Sequence, residues 1–318
     1  MTAPVPAQAR NGARAWLVLA LLSVIWGSSF ILMKEGLEGF DAQQLALIRM
    51  SVAAVCLFPL ALRHIRELGT REVALLLVVG LTGNALPAFL YAKSETVLPS
   101  AVVGVLTSMT PIFSLLVAWM FFRQRFPRAN VIGIVVGLAG AVVLAMAGSP
   151  EAGRSTNLAF AGLVLLATIS YGVNVNLVKG FFSTRNSVLV TSIALSTVGW
   201  PSLIFLLAGT NFIERLHTVP AAPAALAYIA VLGAFGTALS VLLFNQLLKD
   251  ATIIFATSVT YTIPIVAVLW GIALHEQFTV LHAAAFAVIL LGVWLANRRR
   301  IASVRVASQP LQEAEAVV

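Results

Sequence analysis

The sequence predicts an all-α membrane protein of ten transmembrane helices arranged as two inverted five-helix repeats. Three observations carry that prediction: a composition too apolar for water, ten charge-poor stretches of crossing length, and two motifs that return in the second half. Of 318 residues, 60% are hydrophobic and 10% charged, and the mean hydropathy is +0.97. Soluble domains are about one quarter charged, so the natural solvent of this chain is the lipid bilayer. That excludes a cytosolic enzyme and a secreted disulfide scaffold. A nucleic-acid binder is excluded as well, because membrane topology accounts for the net charge of +8. The single cysteine, Cys56, lies in an apolar run and reads as a small buried side chain.

A helix needs roughly 20 mostly apolar residues to cross a hydrocarbon core of about 30 Å. Such stretches run from Ala15 to Met33, Gln43 to Leu62, Val73 to Ala92, Val97 to Phe122, Ala129 to Ala147, Leu158 to Val178, Ser187 to Ala208, Ala224 to Leu248, Ala251 to Leu274 and Val280 to Ala296. Of the 20 basic and 12 acidic residues, only Arg49 falls inside one. The first stretch follows Arg10 and Arg14 as a secretory signal would. It continues to Lys34 without a small-residue cleavage site and reads as a retained helix.

Orientation follows from Lys and Arg, which stay cytoplasmic in short loops. With the N-terminus inside, outer segments hold only Lys34, Lys93, Arg154 and Arg215, and the other loop and tail cations fall inside. The expectation is an inner (plasma) membrane protein with both termini cytoplasmic. Its expected partners are the lipid bilayer and a small-molecule substrate, with no nucleic acid, and the chain would act as a monomer or homodimer. The Arg298 to Arg300 run reads as a stop-transfer flank beside anionic lipid.

Comparing the halves gives the most specific signal. Trp26-Gly27 followed by Lys34 matches Tyr171-Gly172 followed by Lys179 at an offset of 145, and Thr107 to Pro111 matches Thr260 to Pro264 at an offset of 153. Five crossings per repeat force the second half to enter from the opposite side. Inverted repeats are characteristic of secondary transporters, whose substrate site lies near the midplane between the halves. The expected organisation is an N-terminal tail 1–14, a first repeat 15–147, a linker 148–157 rich in Gly, Ser and Pro, a second repeat 158–297 and a C-terminal tail 298–318.

These residues also resemble a known family. Trp26-Gly27-Ser28-Ser29-Phe30 with Lys34, Arg49 early in the second helix, the repeated Thr-Pro helix, Asn245 near the end of the eighth and His275-Glu276 before the last are similar to the EamA branch of the drug/metabolite transporter superfamily. The resemblance covers roughly residues 15 to 297. It implies a ten-helix permease among relatives many of which export amino acids or related metabolites. One departure is Arg123-Gln124, which stands where the second repeat has Glu276-Gln277.

The polar residues inside the spans are the candidate substrate contacts. An intramembrane charge is costly and is by default a functional hypothesis. Arg49 either faces the cavity to attract a substrate carboxylate, or snorkels outward to pair with Asp41 or Glu38. Thr107, Ser108, Thr110, Thr257, Ser258, Thr260, Tyr261 and Thr262 precede the prolines of the fourth and ninth helices. Their hydroxyls either satisfy carbonyls freed by the proline kink or line the cavity. Trp26 and its counterpart Tyr171 lie deeper than an interfacial belt. Asn84, Asn174 and Asn176 are amides at membrane depth, where they bond across helices or face water. Tyr91 and Asn245, near helix ends, are further candidates. Gly133, Gly137 and Gly140, with Ala285 and Gly292, form small-residue stripes suited to close helix packing or a dimer face.

Absences shape the expected mechanism. No Gly-rich phosphate loop with its Lys-Ser/Thr is present, which points to gradient-driven transport. No Asp or Glu lies within a predicted span, so the expectation is facilitated export or coupling at a helix-end acid such as Glu95 or Glu276. No cofactor or metal is expected: His275 and His282 are seven residues apart, unlike a helical zinc pair. The alternatives are a carrier for lipid-linked sugars or drugs and, at greater distance, a membrane-embedded enzyme.

Overall fold

The computed structural model describes residues 13–122, 128–147, 154–182, 184–250, 259–276 and 279–307. Among these, every regular element is a helix. The first half contains α1 (Ala13–Leu37), α2 (Ala42–His64), α3 (Thr70–Gly80), α4 (Leu86–Glu95), α5 (Ser100–Thr107), α6 (Thr110–Phe122) and α7 (Arg128–Met146). The second half contains α8 (Arg154–Phe181), α9 (Ser187–Gly209), α10 (Phe212–Thr218), α11 (Ala222–Val231), α12 (Ser240–Asp250), α13 (Val259–Ala273) and α14 (Val280–Ala307). A π-helical turn at Leu81–Ala85 joins α3 to α4, and another at Leu232–Leu239 joins α11 to α12.

Among the described residues, seven helical segments are long and apolar enough to cross a bilayer. Three shorter apolar helices, Val131–Met146, Val259–Ala273 and Val280–Ala296, lie where the remaining crossings are expected. Asp41 starts α2 through a capping box, accepting from Gln44 N at 2.9 Å, and Asn186 caps α9 by accepting from Val188 N at 3.0 Å. Those caps are 145 residues apart, the same offset that relates Trp26 to Tyr171. Side-chain caps satisfy backbone donors that a helix start leaves open.

Packing between the halves is self-reciprocal. α1 lies on α13 as α8 lies on α5 and α6, and α1 lies on α11 and α12 as α8 lies on α4. α2 meets the second π turn as α9 meets α3, while α2 with α9, α5 with α13 and α7 with α14 pair across the relation. The contacts of each paired couple run in opposite directions. Gln44 bonds Asn211 whereas Ala54 faces Gly199; Ala101 faces Gly271 and Gly104 faces Ala267; Gly133 abuts Ala296, and Gly140 abuts Ile289.

The close-packing reading of the small-residue stripe holds: at Gly133, Gly140 and Gly292 an added Cβ would meet the backbone of the partner helix, so the stripe is used as a seam within the chain. Two expectations change. Cys56 is exposed on α2, alongside exposed Val55 and Phe58, instead of buried. α8 begins at Arg154, about a turn before the expected Leu158, and the rest of the expected linker lies outside the described residues.

Candidate functional site

The two π turns set the geometry of the interior. Such turns break the regular hydrogen-bond ladder and occur often at functional sites, and the backbone groups they free need new partners. α8 serves the first turn: Ser170 Oγ donates to the Thr82 carbonyl at 2.8 Å, and Asn174 Nδ2 donates to the Val79 carbonyl at 2.7 Å. α1 serves the second, where Trp26 Nε1 donates to the Gly236 carbonyl at 3.1 Å and to Ser240 Oγ at 2.9 Å. Gly83 leaves room for the Asn174 amide, and Gly236 leaves room for the Ser29 hydroxyl. Asn174 stands 145 residues after Ser29 and Gly236 stands 153 after Gly83, the two offsets of the sequence motifs.

Arg49 reaches into this interior from α2. It is 8% exposed, donates from Nε to Thr237 Oγ1 at 2.9 Å, and approaches the Met33 sulfur at 3.7 Å. Pairing with Asp41 or Glu38 does not occur: Asp41 is engaged as the α2 cap, and Arg49 forms no ion pair among the described residues. The guanidinium's electrostatic neighbours are Tyr171, Tyr91 and Glu95. Tyr91 is buried, with its ring centroid 6.0 Å from Tyr171 and 6.1 Å from Phe30, the latter edge-on. The Tyr91 hydroxyl lies beside Thr107 without a well-formed hydrogen bond. An aromatic lining, a cation and a free hydroxyl thus converge from α1, α2, α4 and α8.

Glu95 corrects the expectation that no carboxylate lies within the spans. α4 ends at Glu95, a turn beyond the expected Ala92, and the side chain is 4% exposed with neither carboxylate oxygen hydrogen-bonded. Glu276 has the opposite character. It accepts from the backbone N–H groups of Ser100 and Ala101 at 3.0 and 3.1 Å and from Lys34 Nζ at 3.3 Å, capping α5 from the end of α13.

The fourth and ninth helices are less alike than their motifs. The fourth is broken between Thr107 and Thr110, whereas α13 runs unbroken through Pro264. Thr107, buried Ser108 and Thr110 donate to the carbonyls of Val103, Val105 and Thr107, so these hydroxyls satisfy the break. Thr262 does the same for Val259 and meets Ser23 at 2.5 Å. Thr260 and Tyr261 are half-buried on α13, with Tyr261 against the core, and Asn84 is half-buried on the first π turn. Asn176 bonds the Ser114 and Gly172 carbonyls at 3.0 and 2.8 Å. Thr257, Ser258 and the side chain of Asn245 lie outside the described residues. A hollow of about 420 Å³ between α2, α4 and α9 is lined by residues such as Gln43, Met50, Phe89 and Ser202. It lies on another face of α2 and is lined by none of the clustered residues, so the candidate site is the Arg49 cluster.

The model of the EamA-like transporter family matches residues 14–146 and again 159–298. The chain belongs to the EamA-like transporter family. This EamA-like chain is 29% identical over 307 residues to the "Probable terminal-alkyne amino-acid exporter" of Streptantibioticus cattleyicolor, covering 94% of this chain and 98% of that one. It is 25% identical to an "Uncharacterized transporter" of Archaeoglobus fulgidus (90% and 100% covered) and 27% identical to the "Uncharacterized inner membrane transporter YedA" of Escherichia coli (87% and 88% covered). A crystal structure with 17% identity superposes with a TM-score of 0.57 over 89% of this chain and 96% of its own, which establishes a shared fold. The protein is therefore a membrane transporter of the EamA type.

Of the sequence candidates in this EamA-like transporter, Arg49, Tyr91 and Tyr171 come together, with Thr107 beside Tyr91 and Trp26 on the π turn that holds Arg49's partner Thr237. Asn174 and Ser108 serve the backbone instead. Sequence reading missed Thr237, and it took Phe30 only as part of the opening motif and Glu95 only as a helix-end acid outside the span. The signal for Glu95 was its spacing, since a residue four after Tyr91 shares its helix face.

Proposed function

We propose that the protein is a secondary exporter of small carboxylate-bearing metabolites, amino acids or related compounds, working by alternating access between two inverted five-helix repeats. Ten crossings place both termini in the cytoplasm, with the Lys34–Glu276 end facing out. The opposite running of the paired helices supports the inversion, and the cation distribution supports the orientation.

The observation that carries this reading is Arg49, a buried cation that forms no ion pair among the described residues and is bonded across the interface of the halves to Thr237. An unpaired buried charge is retained at a cost, and a guanidinium fork with free N–H groups matches a carboxylate bidentately. The flat faces of Tyr91, Tyr171 and Phe30 suit an apolar substrate body. A relative named as an amino-acid exporter agrees in substrate class.

The test uses the full chain in liposomes, loaded with a panel of labelled amino acids, with orientation read by one-sided cleavage of terminal tags. Arg49→Gln should lower flux per folded protein at least tenfold, and Arg49→Lys should retain part of it. Normal flux in Arg49→Gln at normal abundance removes Arg49 from the site. Tags accessible on opposite sides of the bilayer contradict the ten-crossing topology.

A further inference from the structure

Two opposite charges are buried near one another in the first half, and they are not paired. Arg49 and Glu95 lie within electrostatic range, yet form no ion pair. Glu95 carries two oxygens without a hydrogen-bond partner, and the bonds of Arg49 run from Nε to one hydroxyl and from Nη1 to one sulfur, which leaves N–H groups over. Buried polar atoms almost always have partners, and an orphaned carboxylate is costly. Structural need does not account for them. The repeat relation places Ala194 opposite Arg49 at the offset of 145 and Leu248 opposite Glu95 at the offset of 153, so the fold does without both charges in its other half. Other charged groups near Glu95 are Lys34 and Glu276, and they are joined to each other at 3.3 Å.

Tyr91, one turn before Glu95 on α4, and its ring partner Tyr171 are both electrostatic neighbours of Arg49. An α-amino acid carries its ammonium and carboxylate on one carbon. It therefore needs an acceptor and a donor that are close but held apart, since a closed ion pair offers nothing to a zwitterion. We infer that Glu95 receives the ammonium group of a zwitterionic substrate whose carboxylate is held by Arg49. Glu95 is thus the residue that separates amino acids from other carboxylates. This rests on the carboxylate-exporter reading and adds the second anchor to it.

The experiment compares wild type, Glu95→Gln and Glu95→Asp as full chains in liposomes. The probe is the best-transported neutral amino acid of the panel, with its 2-hydroxy-acid analogue, which lacks only the ammonium, as competitor. Ligand-induced shifts in the thermal midpoint give a second readout that does not need flux. Wild type should favour the amino acid over the hydroxy acid at least tenfold. Glu95→Gln should lose that preference while still binding the hydroxy acid, and Glu95→Asp should regain part of it. Without ligand, Glu95→Gln should unfold no earlier than wild type, since no hydrogen bond is removed. An unchanged preference overturns the inference. So does an earlier unfolding midpoint, and so does an equal loss for both compounds, which would mark Glu95 as a proton site or a structural group. A wild type inert toward every amino acid overturns the parent reading too, whereas wild-type flux with an indifferent Glu95→Gln overturns this inference alone.

Discussion

The seam between α7 and α14 and the seats of α1 and α8 on the π turns obey the same relation between halves, yet they are built from opposite materials. The seam is glycine against backbone: Gly292 faces the main chain of Gly137 and Gly133, and Gly133 faces that of Ala296. The seats are side-chain hydrogen bonds laid on loosened carbonyls, Asn174 on Val79 and Trp26 on Gly236. A glycine seam has one close-packed arrangement and resists sliding. A hydrogen-bonded seat can exchange one carbonyl for another at modest cost. The contrast yields an expectation for an alternating-access transporter: the pair farthest along each repeat acts as the clamp, and the second π turn, which carries Arg49's partner Thr237, acts as the joint.

The clamp is where a substitution should do most damage. In Gly292→Val the new side chain meets backbone atoms of α7, which cannot turn aside as a side-chain tip would. Overpacking costs about 1–3 kcal/mol where side chains can adjust, and here only separation of the helices relieves it. The folded yield in detergent should fall severely, and a control Gly162→Ala, where nothing lies within 4 Å, should be neutral. A Gly292→Val protein with wild-type yield and thermal midpoint would mean that the seam is loose and would erase the contrast.

Much of this architecture was legible in the sequence because it rests on patterns that survive without side-chain detail. Charge-poor stretches mark the crossings, and the offsets of 145 and 153 anticipate the reciprocal packing, down to Ser29 and Asn174 over Gly236 and Gly83. Arg49 was legible because a lone charge in an apolar helix is conspicuous. Its partner Thr237 was not, because a threonine in a membrane helix carries no signal until the helix opposite is known. Glu95 was legible as a helix-end acid, but its burial was hidden by a boundary: hydropathy ends the third crossing at Ala92, while the helix runs one turn further and takes the carboxylate inside. The break between Thr107 and Thr110 was half legible. Proline marks both helices, but only the first is interrupted, so the surrounding packing and not the proline decides.

The seats offer the finer test, because their two hydrogen bonds look equivalent and differ in what remains after removal. Asn174→Ala takes the amide from the Val79 carbonyl and also empties the space over Gly83. Trp26→Phe takes the indole N–H from the Gly236 carbonyl, yet Ser240 Oγ still donates to that carbonyl at 2.7 Å. Interhelical hydrogen bonds in membranes are worth about 0.6 kcal/mol on average and up to about 1.7. Asn174→Ala should therefore lie near the upper figure and Trp26→Phe near or below the lower one, read as unfolding free energies of the purified protein. In transport the order should reverse. Trp26 sits on the turn that anchors Arg49 through Thr237, so its ring can influence the site, whereas Asn174 holds the backbone of the opposite turn. If Asn174→Ala reduced flux more than Trp26→Phe at equal folded abundance, the first π turn, not the second, would be the one that moves with substrate.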